Sequence, residues 1–406
     1  MADKSKSKSI LCLTSYEKGF EFLRECRRQG YSVMLLTGES LRHSPWPMDA
    51  IDDIFFLPDP NKEWNLRDMV KAVSYLSRSV KIDRIVALDD FDVEKAALLR
   101  EHLRIPGMGE TTARNFRDKL AMRGRAKDAG IPVPPFSAVF NDGEVNAFAQ
   151  SVPAPWVIKP RLQANAIGIK KVGNIDELWH VLHSLGDTRD EFLIEKYIPG
   201  KICHVDSVIV EGKVTFACAS EYGTPPMEVF HGGRVFTTRT VMPASELETN
   251  LLAVNQKIMT GLGLKYGVSH TEFIVGDDGV VYFLETSARV GGANIAELVE
   301  FSTGVNLWVE WAKLECAENP KKVKTKRTAK NHGALLATLA QQTHPDMSRY
   351  NDPEVKWKLD KKQHAGLILA SPDYDRTTEL LDSYLKRFYQ DFFASLPAAE
   401  SASQMG

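Results

Sequence analysis

The stretch Gly267–Gly292, reading GVSHTEFIVGDDGVVYFLETSARVGG, restricts the fold more than any other part of the chain. Two apolar runs, 268–275 and 280–286, flank Asp277-Asp278-Gly279, and Asp-Gly between apolar runs is a strong hairpin signal. With Asp278 and Gly279 as the two turn residues, 277 pairs with 280, and counting back sets Glu272 opposite Glu285. Directly opposed residues on one face have Cβ atoms about 4.5–5.5 Å apart. Two carboxylates that close repel, and a shared proton or a bound cation relieves the repulsion. Alternation along a strand adds His270 to the face of Glu272, and Ser287 and Arg289 to that of Glu285. A hairpin face charged only for solubility is the plainer alternative. Against it, the charges sit inside apolar runs, and buried charges need partners. Carboxylate oxygens suit Mg²⁺, which is usually bound through one or two carboxylates with water and phosphate completing its shell.

At 406 residues and 43% hydrophobic, the chain can bury a large core and divides into two or three domains. A formal charge of −2 gives no reason to expect nucleic acid or an anionic membrane as partner. The five cysteines, Cys12, Cys26, Cys203, Cys218 and Cys316, are scattered without CxxC or metal spacing, which fits free thiols in a reducing cytosol. Only four apolar residues follow the polar start MADKSKSKS, so no signal peptide is readable. No apolar run approaches the roughly 18 residues of a membrane span. A soluble, cytoplasmic protein is expected.

From Ile10 to about Ile105 strands (Ile10–Leu13, Ser32–Thr37, Arg84–Leu88) alternate with helices (Glu17–Gln29, Leu66–Arg78, Asp92–Leu103), a pattern that predicts a parallel sheet. No GxGxxG follows the first strand, which argues against a dinucleotide site. Ligands in such sheets sit beyond the carboxyl ends of strands, and Asp89, Asp90 and Asp92 follow one, but a helix N-cap cluster is the reading preferred here. Arg114–Gly130 reads as one basic helix whose charges fit a solvated face, and Pro132, Pro134 and Pro135 then force an extended linker. Trp156–Pro160 is a strand carrying Lys159, followed by a small-residue turn over 161–168 and a returning strand at Ile169–Val172. A lysine beside such a turn suits phosphate, by point charge and by backbone N–H groups. Further strands are read at Glu191–Tyr197, Val205–Val210 and Lys213–Ser220.

In this order the pieces RDKLAMR around Lys119, VIKP with Lys159, the ANAIG turn with Gly168, EKYIPG, HTEF with Glu272 and LETSARVGG with Glu285 and Arg289 resemble the ATP-grasp superfamily. Within it, the chain resembles the carboxylate–amine ligases such as L-amino acid ligases and D-alanine–D-alanine ligase. The resemblance spans Lys119 to Gly292. It implies an α/β fold, α+β in the ATP-binding part: a Rossmann-like pre-ATP-grasp domain over 1–115, an ATP-grasp domain over 116–316 and a C-terminal α+β segment over 317–406.

The resemblance also implies roles. Lys119 and Lys159 match lysines that contact ATP phosphates, with Gly168 in the flap. Glu195, Lys196, Tyr197 and Ile198 match the hinge along which adenine lies. Glu272 and Glu285 match the metal-binding acids, in agreement with the hairpin count, and Arg289 matches the arginine that contacts the transferred phosphoryl group. Two positions depart from the pattern. Ser287 stands where a third metal ligand is usually Asn, and Ile202 stands where a Glu often contacts ribose, leaving His204 or Asp206 for that contact.

The implied cofactors are ATP and Mg²⁺ or Mn²⁺, one or two ions. The implied activity joins a small-molecule carboxylic acid to an amine through an acyl phosphate, releasing ADP and phosphate. A carboxylase, an acid–thiol ligase or a catalytically silent ATP-binding regulator of the same superfamily are the alternatives, and a homodimer stays open. Beyond 317, Lys321–Lys330 reads as a solvated basic loop or a segment closing over the site. Val355–Leu359 and Gly366–Ala370 read as strands, Thr377–Phe393 as an amphipathic helix and the last ten residues as disordered. His231-Gly232-Gly233-Arg234 is a candidate substrate loop.

Overall fold

The computed structural model describes residues 8–163 and 167–394, the side chains of residues 230–232 excepted. Residues 164–166 of the small-residue turn, the His231 side chain of the 231–234 candidate loop and the expected disordered end therefore lie outside the described residues.

The first layer is a parallel sheet of β1 (Ser9–Thr14), β2 (Ser32–Gly38), β3 (Asp53–Leu57) and β4 (Arg84–Ala87) in the order β3-β2-β1-β4. Its central strands are mostly apolar and buried at every position but Ser32, as strands covered on both faces must be. Helices α1 (Phe20–Arg28), α2 (Leu66–Leu76) and α3 (Val93–Leu103) complete the unit. The strand order reverses between β1 and β4, so the crevice beyond their carboxyl ends is the place where such sheets bind ligands. Ser15 and Asp89–Asp92 lie there. Asp89 caps the turn by accepting from the Phe91 amide at 2.9 Å, while Asp92 accepts from both the amide and the hydroxyl of Ser15 at 2.6 Å.

The expected single helix over 114–130 is divided into α4 (Glu110–Arg114) and α5 (Lys119–Asp128). Asp118 breaks the run because its carboxylate accepts from the Leu120 amide at 2.9 Å and so starts a new helix. A small antiparallel sheet follows, made of β5 (Phe136–Ala138), β6 (Trp156–Pro160), β7 (Lys170–Val172) and β8 (Phe192–Lys196), with α6 (Asp142–Ser151) and α7 (Ile175–Ser184) against it.

The largest layer is a nine-stranded antiparallel sheet. It comprises β9 (Gly200–Val210), β10 (Lys213–Tyr222), β11 (Phe236–Thr240), β12 (Tyr266–Gly276), β13 (Val281–Ser287), β14 (His332–Ala340), β15 (Val355–Lys358), β16 (His364–Ser371) and the short β17 (Phe393–Ala394). Helices α8 (Pro226–Gly232), α9 (Glu246–Leu262), α10 (Ile295–Thr303), α11 (Leu307–Cys316) and α12 (Tyr374–Asp391) accompany it. The boundaries proposed at 115/116 and 316/317 fall between elements, and the strands beyond 317 extend the same sheet through the β11–β14 pairing. The parallel sheet shares a core with this layer: Ile10, Cys12 and Leu35 cluster with Val208 and Trp311, and the Phe22 and Trp311 rings meet at 5.1 Å. All five cysteines are buried free thiols, and no helix among the described residues is long and apolar enough to cross a membrane.

The hairpin count reaches the right pairing by two offsetting shifts. Gly276 and Val280, not 277 and 280, close the turn, through an amide-to-carbonyl bond of 2.9 Å, with Gly279 at φ +77° ending a three-residue loop. Nearer the site Leu284 is an extra residue in β13, because Phe273 faces Phe283 while Glu272 faces Glu285. This bulge restores the register and re-aims the carboxylates. At the other end of the long β9–β12 ladder, Gly200 pairs with Gly276, and a Cβ on Gly200 would stand 2.2 Å from the Val275 carbonyl oxygen. Backbone cannot swing aside as a side chain does, so Gly200→Ala is expected to cost ~3 kcal/mol of unfolding free energy. Gly279→Ala, with nothing within 4 Å of the added Cβ, is expected to cost only the left-handed penalty of about 1–2 kcal/mol. Urea unfolding of the two variants side by side checks the order.

Candidate active site

The site forms where α5, the small sheet and the β12–β13 hairpin converge. Lys119, the first residue of α5, extends its Nζ to Glu285 Oε2 at 2.8 Å and donates to the Gln163 carbonyl at 2.6 Å. Burial pushes the Glu285 carboxyl up, but Lys119 more than offsets this and holds it below the usual carboxylate range. One of the two facing acids is thus neutralised by a lysine that the sequence read separately as a phosphate contact.

Lys159 sits on β6 with its ammonium paired to Glu195 on the neighbouring β8, where Val157 faces Glu195. Arg123, one turn after Lys119 on the same stripe of α5, donates from Nε to the other Glu195 oxygen at 3.0 Å. Arg123, Glu195 and Lys159 are at most 4% exposed, so a solvated-face reading of this helix fails at Arg123. Burial pulls the Lys159 ammonium down to about 8, against the opposing pull of Glu195. The Glu195 carboxyl is pushed up by burial yet ends below its ordinary range because Arg123 and Lys159 flank it. Glu195 therefore holds the phosphate-lysine candidate in place through its side chain, and only its backbone remains for a base.

The rest of the expected hinge is also engaged. The Lys196 ammonium donates to the Pro153 and Ala154 carbonyls at 2.5 and 3.0 Å, and the amides of Lys196 and Tyr197 donate to Pro135 and Pro155. The Lys171 ammonium lies 3.5 Å from the centre of the Tyr197 ring. Ile198 is half-buried beside them, at the threshold of β9. Gly168, at φ +71°, packs so closely on Pro160 that a Cβ would come within 2.9 Å of its ring.

On the other carboxylate, Glu272, the Tyr222 hydroxyl donates to Oε1 at 2.8 Å and His270 Nε2 lies 3.5 Å from the same atom. His270 Nδ1 is 2.9 Å from Asp206 Oδ1, and His204 Nδ1 is 2.7 Å from Asp206 Oδ2. Burial alone would lower the His270 pKa, but Asp206 overrides it and raises it to about 9. Conversely the Asp206 carboxyl, which burial pushes up, is held far below the usual range by His270 and His204. His204 is fully buried and its Nε2 shares a hydrogen bond with Thr238 at 2.9 Å. With both ring nitrogens engaged and no exposed surface, His204 is not placed to meet a ribose, and Asp206 is equally enclosed.

The parallel sheet contributes Asp90. The sequence reading took Asp90 as part of a cap cluster, yet it is buried against the Arg117 guanidinium, and its Oδ1 has no hydrogen-bond partner among the described residues. Burial would raise its carboxyl, but Arg117, Arg289, Ser287 and Lys119 lie close enough to hold it below the ordinary value. Ser287 faces His270 across the hairpin. Arg289 follows the end of β13, where one guanidinium nitrogen donates to the Val290 carbonyl at 2.9 Å while its Nε is buried without a partner among the described residues. Asp90, Arg123 and Tyr222 are thus the residues that sequence reasoning missed. Arg123 left a trace as the i+4 neighbour of Lys119 within RDKLAMR, and Asp90 left one as an acid following a strand of the parallel sheet.

Residues 152–297 match the family model described as the ATP-grasp domain. The chain is 24% identical over 256 residues to the L-arginine-specific L-amino acid ligase of Bacillus subtilis, covering 60% of this chain and 61% of that protein. It is 24% identical over 208 residues to the D-alanine–D-alanine ligase of Geobacter sulfurreducens, covering 50% and 65%. The chain therefore spans less than two thirds of the length of these curated relatives. Among solved structures, an L-amino acid ligase from Bacillus licheniformis superposes with a TM-score of 0.72 at 17% identity, over 95% of this chain and 98% of that one. The N5-carboxyaminoimidazole synthetase of Staphylococcus aureus, complexed with ADP, superposes with a TM-score of 0.70 at 16% identity, over 93% and 97%. The shared architecture is the ATP-grasp fold, and the proteins that carry it here are ligases and synthetases.

The Arg123–Glu195–Lys159 cluster generates a stability test. Removing one partner of a buried ion pair costs about 3–5 kcal/mol because the other charge is stranded. Glu195→Gln strands two cations and is expected to lie at the upper end of that range, with Arg123→Met, which leaves Glu195 paired with Lys159, at the lower end. The double variant is expected to be more stable than the sum of the two by about 2 kcal/mol, read from urea midpoints in a double-mutant cycle.

Proposed function

We propose, starting from the ATP-grasp domain in this chain, that the protein is an ATP-dependent carboxylate–amine ligase working through an acyl phosphate. The observation that carries the reading is the facing of Glu272 and Glu285 across the hairpin, with Lys119 on one acid and Lys159 a short distance behind it. A like-charged pair held open beside two lysines and an arginine suits a metal–triphosphate complex. In this reading Glu272 and Glu285, with the Ser287 hydroxyl as a third oxygen, would hold Mg²⁺, which would supply neutralisation of phosphate charge.

Lys119 exchanges its contact with Glu285 for phosphate oxygens when nucleotide and metal enter. Lys159, kept near its titration point by burial, gains charge stabilisation from the same phosphates. Adenine lies along the backbone of 195–198, under the flap that contains Gly168. A substrate carboxylate oxygen attacks the γ-phosphorus and ADP leaves. The amine then attacks the acyl carbon, the C–O bond to phosphate breaks, and the amine loses a proton as the amide forms. Arg289 contacts the phosphoryl oxygens in transfer, and no side chain needs to act as nucleophile, so catalysis is positioning plus charge neutralisation. An amino acid as the acid substrate is supported by the relatives, an L-amino acid ligase and a D-alanine–D-alanine ligase.

Phosphate release measured with amino acids added singly and in pairs tests the activity. Release that requires a particular pair, with ADP and inorganic phosphate as the products on chromatography, is the expected result. AMP and pyrophosphate would sink the acyl-phosphate route, and release with no acceptor dependence would sink the ligase reading.

Arg289 separates catalysis from nucleotide binding. Its planar fork can bind two phosphoryl oxygens at once, which Lys cannot copy. Loss of one donor of this kind costs roughly 2.7–4 kcal/mol, or about 10²–10³ in kcat. Arg289→Lys is expected to lower kcat by that factor while the ATP dissociation constant moves little. A purely structural arginine would instead cost stability and leave the rate per folded molecule unchanged.

A further inference from the structure

Six polar side chains from four adjacent strands meet on one face of the large sheet: His204 and Asp206 of β9, Tyr222 of β10, Thr238 of β11, and His270 and Glu272 of β12. The register sets Glu272 beside His204, His270 beside Asp206, and Tyr222 opposite Thr238. All but Glu272 are buried, and the Glu272 side chain is 14% exposed. Burying this much polarity is costly unless each group is partnered. Here they are joined end to end, from Thr238 through His204, Asp206 and His270 to Glu272, while the Tyr222 hydroxyl closes on the same carboxylate. The Tyr222 ring also lies on His204, with centroids 4.7 Å apart. An apolar core of equal volume would be as stable or more so, so stability alone gives no reason for such a network.

Its geometry does. Tyr222 and His270 both act on Oε1 of Glu272, and among the described residues no hydrogen bond reaches Oε2. A terminal carboxylate torsion is otherwise broad. We propose that Tyr222 and His270 are positioning residues: they lock the Glu272 carboxylate so that Oε2 is presented to a divalent cation, while Asp206 fixes the His270 ring. This rests on the reading of Glu272 as a cation ligand. The network also bears on the backbone after Arg289, because a Cβ on Gly291 would come within 2.8 Å of Asp206 Oδ1 and 3.0 Å of His270 Nδ1. That segment must therefore lie flat against the Asp206–His270 bond, which sets where the chain carrying Arg289 runs.

Partners of metal ligands typically contribute 10–100-fold to metal affinity. The test is Mn²⁺ binding to the full-length protein with ADP present, followed by electron paramagnetic resonance and calorimetry. Tyr222→Phe removes one donor and keeps the ring against His204 and Phe236. It is expected to weaken Mn²⁺ binding about 10-fold, with the melting temperature and the metal-free ADP affinity unchanged, neither of which a merely structural role would spare. His270→Asn is the second variant, expected to weaken Mn²⁺ binding by at least as much. Glu272→Gln is the reference, expected to lose Mn²⁺ binding. If Glu272→Gln loses the metal while Tyr222→Phe and His270→Asn bind it as the wild type does, the positioning role is overturned and the cation reading stands. If Glu272→Gln itself binds Mn²⁺ normally, the cation reading falls and the proposal with it.

Discussion

Two carboxylates facing each other across a hairpin impose the condition that the surrounding structure has to meet. Like charges paired across a hairpin repel, and the repulsion grows as the pair leaves water. Each acid is relieved in a different way. Glu285 takes the ammonium of Lys119 from α5, and Glu272 takes a phenol and an imidazole from β10 and β12. A cation between them would replace repulsion with attraction on both sides at once. The central position of β9, paired with β10 on one edge and β12 on the other, lets residues far apart in the chain reach a single carboxylate.

Positive charge is handled at two depths. Lys119 is paired with Glu285 of the hairpin, and Arg289 donates to the neighbouring Val290 carbonyl. Lys159 and Arg123 lie deeper and share Glu195, which keeps two cations compatible with burial. The parallel sheet adds its own acid, Asp90, bound to Arg117 at the crevice between β1 and β4. A shared core around Trp311 and Phe22 ties that sheet to the layer bearing the hairpin, so Asp90 is held against the site rather than hinged from it.

Architecture and activity separate in this molecule. Solved structures that share under a fifth of its residues superpose over nearly all of the chain, and they include both an L-amino acid ligase and an N5-carboxyaminoimidazole synthetase. A shared fold hosts different chemistries, and the side chains on its loops, rather than the core, distinguish them.

Local chemistry made the alternating strands and helices of the first hundred residues legible, because their periods and turn residues are properties of short windows. The pairing of Glu272 with Glu285 was legible for the same reason, although the Asp-Gly turn alone puts the register off by one and only the Leu284 bulge brings it back. The set of candidate groups Lys119, Lys159, Glu272, Glu285 and Arg289 could be read from motifs in order along the chain. What each side chain touches could not. Arg123 looks like a surface charge until Glu195, 72 residues later, arrives on a neighbouring strand to pair with it. Glu195 looks like a hinge residue until Lys159 and Arg123 are seen to occupy its carboxylate. His204 looks free for a ribose until Thr238 and Asp206 enclose it. Asp90 looks like a helix cap until Arg117 meets it across the crevice. In each case the deciding term is the burial of a charge, and burial is a property of the assembled layers: a sequence window shows which groups carry charge, and only the tertiary structure brings the partner without which that charge could not leave water.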